Sequence, residues 1–301
     1  MEGNIELVKV GLIYKQLTRR DLRVLEVIEK GHARYEYVPL EIIEKYSKIP
    51  EQHVLLSLSK MHRLKLVKRR TISGYKTFRL TYLGLDMLAL DYFVRKDVVE
   101  AIGDRLGVGK ESELFKALAP GGKKVTVKFL RIGRTSFRRT RIVRNWAQDP
   151  RIDWFKQAKI AAEREFKALK ELYEIGANVP YVLAYNRHAV VIEYIEGIEL
   201  YRKPELDNPE KVLWKILDTL RKAYLEAGIV HGDLSEYNVL VSIDTNTPYI
   251  IDWPQYVYRD DPAADKLLKR DVEYIVRFFN KNYRVGVSLD KALKYVRGEN
   301  G

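Results

Sequence analysis

Apolar residues recur at helical spacing three times in the N-terminal third of the chain. The first stripe lies within residues 21–30 and ends at Gly31, and Pro39 and Pro50 each stand just before another stripe. Proline has the backbone angle that a helix needs at its start, and glycine is the usual residue beyond a helix end. The pattern therefore predicts three short helices.

Two strand-like runs follow, residues 65–72 and 76–81, and the Ser-Gly-Tyr sequence at 73–75 between them is typical of a hairpin turn. Three helices and then a hairpin is the element order of a winged helix, whose third helix is the recognition helix and whose hairpin is the wing. We predict a winged-helix domain over residues 1–83 and a connecting helix over residues 84–97.

Basic side chains cluster at the end of the third helix and on the wing. Residues 1–90 carry 17 basic and 10 acidic side chains, more than half of the formal charge of +13. Phosphate neutralisation is the functional interpretation of this face, and a solvated surface on a domain that docks to its own chain is the alternative. The predicted nucleic-acid contacts are Lys60, Arg63, Lys68, Arg69 and Arg70, joined by Arg138, Arg139 and Arg141 from an arginine-rich loop at 131–151.

A glycine loop begins the second part of the chain. Residues 107–112 read Gly-Val-Gly-Lys-Glu-Ser, and two glycines two positions apart let backbone N–H groups approach phosphate oxygens. The motif is neither a Walker A loop nor a complete G-x-G-x-x-G, so an ordinary turn is the alternative. A strand at 123–130 that contains Lys128 follows, and protein kinases hold ATP phosphates with elements in this order. The predicted ATP-binding residues are Gly107, Val108, Gly109, Lys110, Glu111, Ser112 and Lys128.

The lysine needs a carboxylate partner, and the helix predicted over residues 155–175 supplies one. Glu165 falls on the apolar stripe of this helix, whereas Glu163 falls on its polar side. Because a carboxylate on an inward face requires a cation, we predict that Glu165 pairs with Lys128 and belongs to the ATP site. A half-exposed Glu165 at the edge of the stripe is the alternative.

The strongest chemical signal is His-Gly-Asp-Leu-Ser-Glu-Tyr-Asn at 231–238. Asp233 and Asn238 have the spacing of a kinase catalytic loop, in which the aspartate accepts a proton and the asparagine binds a divalent metal. Asp252 ends a predicted strand 14 residues later and suits a second metal ligand. Each residue alone could be a surface or capping side chain. Their order in the chain favours a site for ATP and Mg²⁺, with Mn²⁺ as an alternative metal.

These motifs resemble those of the RIO family of atypical protein kinases, in particular the subfamily with an N-terminal winged helix. The resemblance covers nearly the whole chain, and it departs at Trp253, where the family often has Phe. The motifs that carry it are Gly-Val-Gly-Lys-Glu-Ser at 107–112, Lys128, Arg-Ile-Gly-Arg-Thr-Ser-Phe-Arg at 131–138, Asn-Arg-His-Ala-Val-Val at 186–191, His-Gly-Asp at 231–233 and Ile-Asp-Trp-Pro-Gln at 251–255.

The resemblance implies an α+β chain in which the winged helix precedes a compact two-lobed protein-kinase-like domain. This RIO-type domain spans residues 98–301, with an N-lobe at about 98–192 and a C-lobe at about 196–301. The site residues that it implies are Asp233, Asp252 and Lys128 for catalysis, Asn238 and Asp252 for the metal, and Glu193 and Ile195 at a hinge that offers backbone groups to adenine. In members that resemble ATPases, the aspartate at the position of Asp252 accepts the phosphate.

The sequence also predicts what the domain lacks. Only 49 residues follow Asp252, they contain no Ala-Pro-Glu, and Gly232 replaces the arginine that answers activation-loop phosphorylation in ordinary kinases. We therefore expect no activation loop and no peptide-binding platform. A helix is predicted over residues 264–283, and its Asp271 is either a brace for the catalytic loop or an ordinary helix residue.

Composition excludes several other classes of protein. With 301 residues and 46% apolar side chains, the chain can form a sizeable core. The absence of cysteine excludes disulfide scaffolds, zinc–thiolate sites and cysteine nucleophiles. The sequence shows no secretory signal and no apolar run of the roughly 18 residues that a membrane helix needs, so we expect a cytoplasmic, monomeric protein with no membrane partner.

The function predicted from these features is that of an ATP-dependent serine/threonine protein kinase that autophosphorylates, or of an ATPase, or of both. The resemblance implies a role in maturation of the small ribosomal subunit, with the winged helix and the arginine-rich loop contacting the rRNA-containing particle. Two alternatives stay open. One is a winged-helix DNA-binding regulator that senses ATP, and the other is a scaffold that binds ATP without turning it over.

Overall fold

The structure is a computed structural model that describes residues 10–109, 111–131 and 154–299. The chain divides into two compact units. The described part of the first unit comprises residues 10–109, 111–131, 154–159 and 185–189, and that of the second comprises residues 160–184 and 190–299. The domain boundaries expected from the sequence stay predictions.

The first unit begins with the elements of a winged helix. They are α1 (Val10–Lys15), α2 (Arg19–Gly31), β1 (Val38–Pro39), α3 (Leu40–Ser47), α4 (Glu51–Arg63), β2 (Val67–Ile72) and β3 (Tyr75–Leu80). The three strands form an antiparallel sheet in the order β1-β3-β2. The core of this part consists of apolar side chains from α2, α3 and α4 that are at most 1% exposed: Leu25, Ile28, Ile43, Val54, Leu58 and Met61.

The hairpin differs from the sequence expectation in its turn. The turn consists of Ser73 and Gly74 alone, with φ of 49° and 82°. Two successive residues with positive φ form the turn whose twist matches the twist of the flanking strands, so Tyr75 belongs to β3. Strand β1, which pairs Val38 with Phe78, was not predicted, because two residues show no alternation.

The connecting helix α5 (Tyr82–Arg95) follows β3 directly. The hydroxyl group of Thr81 caps it by accepting a hydrogen bond of 3.1 Å from the N–H of Gly84. Most residues of α5 are buried, and they include the carboxylates Asp86 and Asp91. Buried carboxylates require cationic or N–H partners, which means that α5 packs against charged neighbours as well as apolar ones.

A second sheet completes the strands of the first unit. It contains β4 (Ala101–Val108), β5 (Ser112–Leu118) and β6 (Lys124–Leu130), which run antiparallel in that order. A short 3₁₀ turn, Pro120–Gly122, joins β5 to β6. Both faces of β6 are buried, since Lys128 is only 5% exposed while Val127 and Phe129 are fully covered.

Two later segments of the chain, residues 154–159 and 185–189, belong to the first unit. Helix α6 (Trp154–Glu174) contributes residues to both units, and the residues between β7 (Val182–Asn186) and β8 (Ala189–Glu193) belong to the first. The remaining elements are β9 (Gly197–Glu199), α7 (Pro209–Leu225), β10 (Ile229–Val230), β11 (Val239–Ser242), β12 (Pro248–Ile250), β13 (Val257–Tyr258), α8 (Ala264–Tyr283) and α9 (Leu289–Arg297).

The predicted helix at 264–283 is confirmed as α8. Strands β12, β11 and β9 form one antiparallel sheet, and β10 pairs with β13. Helix α8 buries one face, including Val272, Ile275 and Phe279, which are fully covered. Within the described residues, no helix combines the length and apolar character needed to cross a bilayer.

The close approach of α5 to the strands of the winged helix generates a stability prediction. A Cβ at Gly84 would lie 2.4 Å from the carbonyl oxygen of Leu66 and 2.8 Å from the side chain of Leu80. Glycine to alanine ordinarily stabilises a helix by about 1 kcal/mol. Here we expect Gly84→Ala to lower the free energy of unfolding by roughly 1 to 3 kcal/mol because backbone must move.

Urea denaturation measures this difference, and Gly103→Ala is the matched control. A Cβ at Gly103 would meet only the carbonyl oxygen of Lys116 at 3.6 Å, which is ordinary contact. If Gly84→Ala were as stable as the control, the close approach would not constrain α5.

Candidate active site

The glycine loop lies between β4 and β5 in the first unit. The N–H of Gly109 donates to the carbonyl oxygen of Ser112 at 2.9 Å, which closes the loop as a tight turn. A Cβ at Gly107 would have no described atom within 4 Å, so packing within the protein does not explain a glycine there. A glycine leaves this stretch of backbone open to close approach by a ligand, as the phosphate-loop prediction requires. The predicted Lys110 lies outside the described residues.

Lys128 and Glu165 are both held on buried faces. Lys128 lies on β6 opposite Leu114 of β5 and is 5% exposed. Glu165 lies on α6 and is 1% exposed, whereas Glu163 is 43% exposed at its side chain and pairs with Lys167 at 2.6 Å. The inward orientation expected for Glu165 is confirmed. The pairing of Glu165 with Lys128 stays a prediction.

Asp271 of α8 holds the backbone of the catalytic loop in the second unit. Its fully buried carboxylate accepts the N–H of Gly232 at 2.7 Å and the N–H of Leu234 at 3.2 Å. Arg270 lies 3.1 Å from the same carboxylate and also donates to the carbonyl oxygen of Gly232. Of the two alternatives for Asp271, the brace is therefore correct. Burial raises the pKa of Asp271, and the charge of Arg270 acts in the opposite direction.

Glycine at position 232 has a structural reason. Its φ is 79°, in the left-handed region, and a Cβ would lie 3.1 Å from the carbonyl oxygen of Gln255. A side chain here would strain the backbone and crowd the segment after Asp252. The conformation of the loop therefore explains why glycine, and not the arginine of ordinary kinases, occupies position 232.

His231 connects the catalytic loop to the segment that carries Asp252. Its Nε2 lies 3.1 Å from the carbonyl oxygen of Ile251, and its Nδ1 lies 3.3 Å from the N–H of Asp233. A carbonyl group only accepts and an N–H only donates, so these partners assign the hydrogen to Nε2. The ring also packs 4.6 Å from the ring of Trp253. The His-Gly-Asp motif thereby fixes the position of Asp233 relative to Asp252.

Asn238 and Asp252 form the predicted metal pair. The amide nitrogen of Asn238 lies 3.4 Å from a carboxylate oxygen of Asp252, and Ser235 donates its hydroxyl to the amide oxygen at 2.9 Å. Asp252 has a φ of 69°, a strained conformation for a residue other than glycine. One carboxylate and one amide oxygen suit Mg²⁺, which binds few protein ligands and completes its shell with phosphate and water. Within the described residues, no group of three or more His, Cys, Asp or Glu side chains forms an alternative metal site.

The environment of Asp233 suits a proton acceptor. Burial raises the pKa of its carboxyl group above the ordinary value, the charge of Asp252 raises it further, and the charge of Arg270 opposes the shift. A carboxylate of raised pKa accepts a proton more readily than a solvated one, which is the property expected of a general base.

Arg164 is a functional candidate that the sequence analysis missed. It donates from Nε to the carbonyl oxygen of Pro254 at 2.9 Å and also donates to the carbonyl oxygen of Tyr256, while its guanidinium group lies 4.0 Å from the centre of the Tyr256 ring. Burial lowers the pKa of Arg164 and raises that of Tyr256 to about 12. These contacts fix the segment after Asp252 to α6. Because two of its partners are backbone carbonyl groups, no pairing of residue types in the sequence indicates them.

Glu193 and Ile195, the residues predicted to contact adenine, offer only part of their backbone hydrogen-bonding groups. The N–H of Glu193 donates to the carbonyl oxygen of Tyr181 at 2.9 Å, and its carboxylate accepts the N–H of Tyr181 at 2.7 Å. Glu193 can therefore offer its carbonyl oxygen but not its N–H. Ile195 lies beyond the end of β8 and is half-buried.

The predicted nucleic-acid contacts fall into three groups. Lys68, Arg69 and Arg70 follow one another on β2, an edge strand exposed along nearly its whole length, and Arg63 is exposed on α4. Lys60 instead pairs with the buried carboxylate of Asp21 at 2.7 Å. The others, Arg138, Arg139 and Arg141, lie outside the described residues. The exposed basic charge is thus concentrated on the wing rather than along the recognition helix.

Comparison with known proteins agrees with this arrangement. The model of the RIO domain family matches residues 113–292, and the model described as Rio2, N-terminal, matches residues 14–96. A RIO-type serine/threonine-protein kinase Rio2 from Methanocaldococcus jannaschii is 38% identical over 274 residues, which cover 87% of this chain and 98% of the relative. The serine/threonine-protein kinase rio2 of Schizosaccharomyces pombe is 32% identical over 271 residues, covering 90% of this chain and 78% of the relative.

A solved structure is also similar over most of its length. It is the Rio2 kinase–ADP/Mg²⁺–phosphoaspartate complex from Chaetomium thermophilum, with a TM-score of 0.79 and 31% sequence identity, covering 97% of this chain and 90% of that one. The expected order of a winged helix and a kinase-like domain is confirmed. The chain therefore belongs to the RIO family of serine/threonine-protein kinases, in the Rio2 branch that carries an N-terminal Rio2 domain.

Proposed function

We propose that this chain uses ATP and Mg²⁺ to phosphorylate serine or threonine hydroxyl groups, including its own, or to hydrolyse ATP through Asp252, during maturation of the small ribosomal subunit. The observation that carries this proposal is the braced loop at 231–238, which presents Asp233 while Asn238 lies 3.4 Å from Asp252. Bound Mg²⁺ would be held by Asn238 and Asp252 and would neutralise charge on the phosphate oxygens.

In the kinase reaction, the oxygen of the acceptor hydroxyl forms a bond to the γ-phosphorus of ATP. The bond between that phosphorus and the bridging oxygen breaks, ADP leaves with the electron pair, and the hydroxyl proton passes to Asp233. The raised pKa of Asp233 supports its assignment as the acceptor of this proton.

In the hydrolytic reaction, a carboxylate oxygen of Asp252 forms the bond to the γ-phosphorus, and ADP leaves. Water then attacks the resulting acyl phosphate, its proton passes to Asp233, and inorganic phosphate and the carboxylate of Asp252 are released. The phosphoaspartate in the complex of the Chaetomium relative supports this branch. The positive φ of Asp252 supports it as well, because strained backbone clusters at functional residues.

The first activity prediction concerns Asp233→Asn. We expect this variant to lower the rate of phosphoryl transfer by about 10² to 10⁴, because it removes the proton acceptor. Binding of ADP with Mg²⁺ should change by less than about threefold, because Asp233 is not assigned as a metal ligand. Transfer of ³²P from ATP and release of phosphate measure the rate, and calorimetry measures binding.

Asp244→Asn is the matched control, because Asp244 is an exposed aspartate in the same unit. It should retain the wild-type rate. Equal rates for Asp233→Asn, Asp252→Asn and the wild type would reject the enzymatic proposal and favour a scaffold that binds ATP.

The proposed target, the rRNA of the maturing small subunit, rests on the wing. Lys68, Arg69 and Arg70 are exposed on an edge strand, and within the described residues no carboxylate forms an ion pair with them. The guanidinium group of Arg70 lies 6.0 Å from the centre of the Tyr37 ring. Such a surface binds phosphates with little sequence preference, which suits a structured RNA better than a DNA operator. The same proposal has the chain acting as a monomer in the cytoplasm.

The second prediction tests the wing directly. Replacing Lys68, Arg69 and Arg70 together by alanine should weaken binding to a small-subunit rRNA transcript and reduce the slope of log K against log salt by roughly 2 to 3, because three phosphate contacts are lost. The control replaces Lys266, Lys269 and Lys281, three exposed lysines of α8, and changes the net charge equally.

If only the net charge of the chain matters, both triple variants will bind the rRNA transcript equally weakly. That result would contradict the assignment of RNA binding to the wing. Strong preference of the wild type for one DNA duplex over random duplex and over rRNA, at fixed salt, would favour the DNA-binding regulator instead.

A further inference from the structure

Three buried polar side chains meet within the first unit. Asp86 comes from α5, Arg131 from the end of β6, and His188 from the turn before β8, and their side chains are 1%, 2% and 0% exposed. Arg131 donates to Asp86 at 2.6 Å, and Nε2 of His188 lies 2.8 Å from the other oxygen of the same carboxylate. An ion pair this dry is costly to break, because removal of one partner leaves the other charge uncompensated.

The charge on Asp86 is maintained by these partners. Burial by itself would raise the pKa of Asp86, but the charge of Arg131 and the hydrogen bond from His188 outweigh burial and hold this pKa below its ordinary value. Asp86 is therefore ionised, and the network is a fixed electrostatic contact between the connecting helix and the strands that follow it.

Arg131 connects this network to the glycine loop. Its guanidinium group also donates to Glu113 at 3.1 Å, and its backbone N–H donates to the carbonyl oxygen of Glu111 at 2.6 Å. Glu111 and Glu113 flank Ser112, the last residue of the loop. Arg131, whose side chain is held by Asp86 of α5, thus contacts the residues on both sides of Ser112, with its guanidinium group on Glu113 and its backbone N–H on Glu111.

A second carboxylate, from the winged helix, forms ion pairs that do not contact the glycine loop. Glu29 of α2 pairs with Lys159 at 2.7 Å and with Arg187 at 2.9 Å. These partners lie on α6 and in the turn before β8. Glu29 therefore connects the winged helix to the rest of the unit at a different place, which makes it a natural control.

We propose that Asp86 and Arg131 are positioning residues for the nucleotide phosphates. Through them, the connecting helix α5 sets the conformation of the glycine loop. Phosphate affinity then depends on a residue outside the kinase-like domain. Because coupling between two sites is reciprocal, a partner that displaces α5 changes nucleotide affinity, and bound nucleotide changes the affinity for that partner.

Calorimetric titration of the full chain with ADP plus Mg²⁺ and, separately, with adenosine tests this inference. We expect Asp86→Asn to weaken ADP binding at least fivefold while adenosine binding stays within twofold, because the proposal assigns the loop to the phosphates. Glu29→Gln should leave both affinities within twofold. A purely structural role of Asp86 would weaken ADP and adenosine by the same factor, and that result would overturn the proposal.

A second variant keeps the test valid if Asp86→Asn does not fold. Asp86→Leu combined with Arg131→Met removes both charges together, and apolar replacement of a buried ion pair is often tolerated. We expect this variant to melt near the wild-type temperature and to show the same selective loss of ADP affinity. Wild-type ADP affinity in a folded double variant, or an equally selective loss in Glu29→Gln, would refute the coupling.

Discussion

The conformation of the loop at 231–238 depends on the buried carboxylate of Asp271. Asp271 is fully covered, and it accepts two backbone N–H groups of the catalytic loop on either side of Asp233. Hydrogen bonds to a charged group contribute about 1.5 to 3 kcal/mol each, so the loop cannot rearrange without a large loss of stability. Gly232 is the residue that makes the geometry possible, since its positive φ turns the backbone toward Asp271. The position of Asp233 is therefore set by hydrogen bonds within the fold.

The segment after Asp252 is likewise held in place by contacts within the fold. In ordinary kinases this region continues into an activation loop whose phosphorylation orders the site. Here Arg164 of α6 binds the carbonyl oxygens of Pro254 and Tyr256, and Tyr256 is 5% exposed beneath the guanidinium group. The packed arginine therefore holds this segment in place through contacts within the second unit. The proposed Asp86–Arg131 coupling is a candidate contact for regulation of nucleotide binding.

Sequence reasoning was most accurate where a pattern is local. Helical periodicity located α2, α4, α6 and α8 to within a few residues, and the structure brings Asn238 to 3.4 Å from Asp252, two residues that their spacing in the sequence had grouped. Glu165 could be distinguished from Glu163 because the two fall on opposite faces of one helix.

It failed where a side chain meets a partner distant in the chain. The bonds from Arg164 to backbone carbonyls cannot be inferred from residue types, because every residue has a carbonyl group. The aspartate at position 86 interrupted an apolar run without indicating its partners at positions 131 and 188, which adjoin it only after folding. Lys60 was grouped with the basic face, yet it neutralises Asp21 within the winged helix.

We expect the site at the braced loop to support transfer of the γ-phosphoryl group of ATP. A single-turnover experiment tests it most directly: wild-type chain in excess over [γ-³²P]ATP, with Mg²⁺, is quenched over time and separated into protein-bound label and free phosphate. We predict label on the protein, free phosphate at the same or later times, and neither product when Mg²⁺ is chelated. ATP that is shown to be bound in the presence of Mg²⁺ and yet is recovered intact would contradict it.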